Sequence, residues 1–137
     1  MFLPYPDSQI KDLLESSLTI AVVGLSPKES RPSNMVGQYL QEIGYKVIPV
    51  NPGQKEILGE LCYPDLASVE ERIDIVNIFR RPEDTPPIVE QAVSSGAKAV
   101  WMQQGVVNED AAGLARKGGL MCVMDFCIKI EHARLFA

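Results

Sequence analysis

The stretch Thr19-Ile-Ala-Val-Val-Gly-Leu-Ser26 decides how this chain is read. Thr19 to Val23 is a β-branched, continuously apolar run that stops at Gly24, the pattern of a strand buried on both faces of a parallel sheet. Helical patterns flank it. Upstream, Asp7 is placed to cap an amphipathic helix reaching about Ser17, with Ile10, Leu13 and Leu14 on one face. Downstream, after a polar loop, Ser33 is the expected cap of a helix that carries Val36, Leu40 and Ile43 on one stripe and stops at Gly44.

The alternation continues to the end of the chain. Lys46 to Val50 is the second strand, and Pro49, which donates no ladder hydrogen bond, is expected near its end. Asn51 to Tyr63 reads as loop with an extended piece around Leu61 to Tyr63, and Asp65 to Arg72 as a short helix. Asp74 to Phe79 is the third strand. Thr85 followed by Pro86 matches a helix cap with proline at the first helical position, opening a helix that ends at Gly96. Ala97 to Met102 is strand four, Asn108 to Lys117 a capped helix stopped by Gly118-Gly119, Leu120 to Met124 strand five and Phe126 to Leu135 a final helix. Such a series predicts right-handed βαβ units. The expected fold is α/β, a three-layer Rossmann-like arrangement with a five-stranded parallel sheet of order 3-2-1-4-5 and helices on both faces.

With 137 residues, 46% of them hydrophobic, the chain is expected to form a single domain over residues 1–137. No apolar run approaches the roughly 20 residues that span a bilayer, and Met1 to Ser17 lacks the basic start and long apolar centre of a signal peptide. A soluble cytoplasmic protein is expected, without a membrane partner. Cys62, Cys122 and Cys127 form no C-x-x-C pair, and His132 is the single histidine, so neither a zinc site nor a disulfide framework is read here. The net charge of -5 argues against a nucleic-acid surface, which depends on clustered Lys and Arg.

In open parallel sheets the ligand crevice lies beyond the carboxyl ends of the strands, where the strand order reverses. The segments there are Gly24 to Pro32, Asn51 to Ile57, Arg80 to Asp84, Gln103 to Val107 and Asp125 to Cys127. They hold Lys28, Arg31, Lys55, Arg80 and Arg81, five of the 13 basic residues of an acidic chain. With the amides that open the Ser33 helix, this predicts an anion site. The turn Gly24-Leu25-Ser26-Pro27-Lys28-Glu29 keeps only the first glycine of the dinucleotide fingerprint G-x-G-x-x-G. The second strand ends in Val50-Asn51-Pro52-Gly53, where an NAD site wants an acid for the ribose hydroxyls. A carboxylate there would repel a ribose phosphate; Asn51 and Lys55 would tolerate one. NAD is disfavoured, and a 3′-phosphorylated adenosine fits.

The segments Val22 to Ser26, Arg31-Pro-Ser33, Gly44 to Pro52, Ile57-Leu-Gly59, Asp74 to Arg81 and Trp101-Met-Gln-Gln-Gly105 together resemble the small stand-alone CoA-binding proteins. Their domain is similar to the nucleotide-binding domain of the succinyl-CoA synthetase alpha subunit. The likeness runs from about Ser17 to Arg134. It implies that coenzyme A is the ligand, with Gly24, Leu25, Ser26 and Lys28 lining the phosphate turn and Arg31 and Ser33 at the helix start. By the same resemblance Val50, Asn51, Pro52 and Lys55 hold the adenosine and its 3′-phosphate, Phe79 and Arg80 border the crevice, and Gln103, Gln104 and Gly105 lie along the pantetheine side. The synthetase-like turn carries small residues where this chain has Pro27 and Lys28.

In the synthetase the phosphorylated histidine lies in a further domain, so complete acyl-CoA ligase activity is not expected of this chain. His132, in the last helix, reads as a structural or surface residue, and no nucleophile elbow or Walker motif is present. Cys127, after strand five, either fills a helix–sheet gap or offers a thiol able to form a mixed disulfide with the ligand. Trp101 is either a wall of the cleft or a core aromatic. The expected function is non-catalytic binding of coenzyme A or an acyl-CoA, as a carrier, sensor or partner subunit. An NAD(P)-dependent oxidoreductase on the same fold is the alternative, and a homodimer or an unidentified protein partner is compatible with either.

Overall fold

The computed structural model describes residues 4–137; residues 1–3, part of the stretch read above for a leader, lie outside the described residues. Helix α1 (Asp7–Ser16) leads into β1 (Thr19–Val23), α2 (Pro32–Glu42) and β2 (Lys46–Val50). A hairpin of β3 (Glu56–Ile57) and β4 (Glu60–Leu61) follows, then β5 (Ile75–Ile78), α3 (Thr85–Ser95), β6 (Ala99–Met102), α4 (Glu109–Lys117), β7 (Met121–Val123) and α5 (Ile128–Leu135). The sheet is parallel, with Ile20 opposite Val47 on one side and Ile75 on the other, Ile75 opposite Ala99, and Ala99 opposite Met121. Alternation along the strands divides the core. Ile20, Val22, Ile75, Ala99, Trp101 and Val123 pack with α1, α2 and α5, while Ala21, Val23, Val76, Ile78, Val100 and Met102 pack with α3 and α4. The Rossmann-like α/β fold with helices on both faces is as read from the sequence.

The strand order is not. The sheet runs β2-β1-β5-β6-β7, which is 2-1-3-4-5 among its five strands, in place of the expected 3-2-1-4-5. Pro49 gives the reason. Its carbonyl accepts the Tyr63 N–H at 3.0 Å on the outer side of β2, so its ring nitrogen, on that same side, faces the sheet edge. In the expected order β2 would be interior, and the missing N–H would leave a carbonyl of the third strand unpaired. Asp74 completes the explanation. Its carboxylate accepts the N–H groups of Leu18 at 2.8 Å and Thr19 at 3.1 Å, pinning the start of β5 beside β1. Burial alone would raise its pKa, but those two amides, with Lys98 and Arg72, hold it below the usual carboxylate value.

Helix starts also differ. Pro6, not Asp7, is the cap of α1, and Asp7 as the first helical residue pairs with Arg134 at 2.9 Å. Arg31, not Ser33, precedes α2, with Pro32 first in the helix. Thr85 is the first residue of α3 rather than its cap, its hydroxyl donating to the Pro82 carbonyl at 2.7 Å. Ile43 lies beyond α2 and is exposed. The helix expected over 65–72 is one 3₁₀ turn, Leu66–Ser68, capped by Asp65, and the final helix starts at Ile128 rather than Phe126. Asn108 does cap α4, accepting the Ala111 N–H at 2.9 Å, and α3 ends at Gly96 in the left-handed conformation.

Candidate functional site

In the observed order the reversal falls between β1 and β5, so the crevice is set by the turn that leaves β1. Gly24 has φ of 86°, and its N–H donates to the Val50 carbonyl at 2.8 Å. A Cβ at this position would stand 2.2 Å from the Phe79 carbonyl oxygen and 3.0 Å from Cδ of Arg80. Glycine is required both for the backbone angle and for the space through which Arg80 passes. Leu25 then turns inward and is fully buried.

The rest of the turn is stitched by side chains. The Ser26 N–H donates to Oγ of Ser33 at 2.9 Å, the Lys28 N–H to Oγ of Ser26 at 3.1 Å, and Nδ2 of Asn34 to the Ser26 carbonyl at 2.9 Å. Asn51 donates Nδ2 to the Leu25 carbonyl at 2.9 Å, tying the end of β2 to the same turn. Ser33 and Asn51 therefore shape the loop directly. Asn34 was not among the sequence candidates; its signal is a polar residue on the buried face of α2.

Two hollows open on this edge. One of about 480 Å³ is lined by Phe79, Arg80, Arg81, Gln103, Gln104 and Val106. Another, of about 280 Å³, is lined by Val50, Pro52, Leu66, Arg80, Ile88 and Gln91 among others. Arg80 and Asp84 line both. Asp84 holds Arg81 through a fork of 3.0 and 3.3 Å, and the guanidinium keeps the Asp84 carboxyl below its usual value. Arg80 is held only loosely, at 3.8 Å. Of the five basic residues, then, Arg81 is engaged within its own loop, whereas Lys28, Arg31 and Lys55 are exposed where the loops leave β1 and β2.

On the β6 and β7 side, Gln103 is buried and Gln104 exposed. Gly105, with φ of 88°, donates its N–H to Oδ1 of Asp125 at 2.7 Å, and Asp125 itself has φ of 66°. Asp125 lay in a candidate segment without a role; here it joins the two loops. Trp101 is a core residue, fully buried with its indole N–H on the Phe126 carbonyl at 2.9 Å, and forms no cleft wall. Cys127 is half-buried directly before α5, packed against the α1, α2 and α5 side of the core. Cys62 and Cys122 are buried, and burial pushes the Cys122 thiol up to about 11.

His132 lies outside the crevice lining. Its Nδ1 meets the Tyr39 hydroxyl at 2.9 Å, its ring stacks on Phe136 at 4.5 Å, and burial lowers its pKa. Among the described residues no group of three His, Cys, Asp or Glu side chains is arranged to hold a metal, and no helix is long and apolar enough to cross a membrane.

A family model for the CoA binding domain matches residues 18–133. The chain belongs to that family. The family is the one that the turn, the β2 end and the Arg80 loop resemble, over nearly the same span. The uncharacterized protein YneT of Bacillus subtilis (strain 168) is 44% identical over 126 residues, covering 92% of this chain and 93% of that protein. Another relative in the same comparison is the ADP-forming acetate–CoA ligase I of Archaeoglobus fulgidus, 27% identical over 126 residues. That match covers 85% of this chain and 18% of the ligase. Among solved structures, a hypothetical protein from Pyrococcus horikoshii OT3 is 41% identical with a TM-score of 0.95, covering 98% of this chain and 94% of that one. The dinucleotide forming acetyl-coenzyme A synthetase 1 of Ca. Korarchaeum cryptofilum shares the fold at a TM-score of 0.67 and 23% identity, over 76% of this CoA binding domain chain and 25% of the synthetase.

Proposed function

We propose that this CoA binding domain chain binds coenzyme A or an acyl-CoA in the crevice at the carboxyl edge of the sheet, as a carrier, sensor or partner subunit rather than a catalyst. The observation that carries the reading is Arg80. Its side chain passes over Gly24, lines both hollows and is held only at 3.8 Å by Asp84, so an incoming phosphate can take over its guanidinium. Lys28 and Arg31 after β1 and Lys55 after β2 add charge on the same edge. The smaller hollow, with Val50, Pro52, Leu66 and Ile88, supplies apolar walls for a flat base, and the larger one leads along Gln103 and Gln104 for an extended arm.

Asn51, committed to the Leu25 carbonyl, places no carboxylate at the end of β2, which favours a phosphorylated ribose over the free diol of NAD. The aromatic packing of His132 away from the crevice supports binding without phosphohistidine chemistry. Native mass spectrometry of the purified chain incubated separately with CoA and NADH tests the reading. One CoA per chain is expected, with NADH occupancy far lower; NADH adducts without CoA adducts would contradict it.

A further inference from the structure

Asn77 is a fully buried polar residue near the crevice end whose side-chain oxygen is left without a partner. It sits in the middle of β5, with no exposure, among strand residues that are otherwise apolar. Its Nδ2 donates to the Trp101 carbonyl at 3.1 Å and to Oε1 of Gln103 at 3.3 Å. Its Oδ1 has no partner, the only such buried side-chain atom among the described residues. An orphaned buried oxygen is unfavourable, and an aliphatic side chain would fill the place at lower cost. The explanation therefore lies in what the nitrogen does.

The orientation of the Asn77 amide is dictated by the backbone. A carbonyl oxygen can only accept, so the group facing Trp101 must be the NH₂. The second hydrogen of that nitrogen then faces Gln103, which must answer with its oxygen. The N–H of Ile128, at the start of α5, makes the same demand on that oxygen from 3.4 Å. Two donors thus fix the Gln103 carboxamide with its oxygen inward. Among the described residues its nitrogen has no acceptor and is not sealed from the surface, and Gln103 lines the larger hollow.

We infer that Asn77 is a positioning residue that locks Gln103 as a hydrogen-bond donor, and that this donor selects a carbonyl acceptor on the ligand's arm. The inference rests on the CoA reading, because the pantetheine arm carries amide carbonyls. The unpartnered oxygen is the consequence of that lock. With Ile128 alone on its oxygen, the Gln103 amide can turn that oxygen toward the ligand part of the time, so losing Asn77 weakens recognition of the arm while leaving the nucleotide part untouched.

The test compares CoA with 3′-phosphoadenosine 5′-diphosphate, which lacks the arm, by calorimetry on wild type, Asn77→Val and Gln103→Glu. The quantity read is the ratio of the two affinities, in which any change common to both ligands cancels. In Asn77→Val, where Ile128 alone still holds the Gln103 oxygen, the ratio is expected to fall about twofold, the loss when half of the amides present the wrong end, while the melting temperature stays at or above wild type. Gln103→Glu keeps an acceptor for Asn77 and Ile128 but removes the donor, and is expected to lower the ratio about five- to tenfold, the range of one hydrogen bond; it decides the test if Asn77→Val does not fold. A ratio within twofold of wild type in folded Gln103→Glu, an unchanged ratio in folded Asn77→Val, or equal loss of both ligands overturns the inference. If wild type binds the truncated nucleotide but gains nothing from the arm, the inference alone fails. If wild type binds neither, the CoA reading fails with it.

Discussion

At Gly24 two requirements meet in one residue. The positive φ excludes most L side chains, and the Phe79 carbonyl fills the space where a Cβ would stand. Gly24→Ala is expected to cost about 2–4 kcal/mol in urea unfolding, since β1 and β5 must separate to admit the methyl group. A change under about 0.5 kcal/mol would show that the strand ends are not packed as described. Residues whose roles follow from the local chain, such as Gly24 and Asn108, are legible in the sequence. Those whose partners depend on how the chain folds back are not: Ser33 has the sequence signature of a helix cap, whereas its hydroxyl accepts from Ser26 across the loop. Asn34, Asn77 and Asp125 act through the same kind of long-range contact.

Among the elements, β2 carries the main lesson. The helix–strand alternation is written in hydrophobic period, but strand order depends on which edges can donate hydrogen bonds, and the sequence around Pro49 shows its place along the strand without showing which neighbour its nitrogen faces. Its nitrogen points to the sheet edge, so Pro49→Val should change unfolding free energy by no more than about 1 kcal/mol. A gain above about 2 kcal/mol would indicate an interior strand with a restored ladder bond. Helix α5 offers a second test, through His132. Burial lowers its pKa, so the unfolded chain takes up the proton first. Its contribution to stability is complete above the unfolded value of about 6.5 and is lost as pH falls through that value toward the folded pKa. Urea unfolding at about pH 7.5 and about pH 5.5 should show a loss of stability that is smaller in His132→Phe. An equal loss in both proteins would remove His132 as the cause.

For the molecule as a whole, the fold class and the location of the crevice are legible from the sequence because both follow from repeated βαβ units and the positions of their ends. How the five basic residues divide is not. Asp84 lies one helical turn from its arginines, and the sequence cannot say that Arg81 is gripped and Arg80 left loose, a distinction set by the 3₁₀ turn at Pro82–Asp84. On the proposed reading, Arg80 and the lysines after β1 and β2 meet a ligand that carries phosphate at both the diphosphate and the ribose. Isothermal titration of the intact chain with CoA and with dephospho-CoA, at one fixed salt concentration, tests this most directly. The account predicts one CoA bound per chain and affinity for dephospho-CoA lower by about tenfold or more. Equal or reversed affinities, or no binding of CoA, would contradict it.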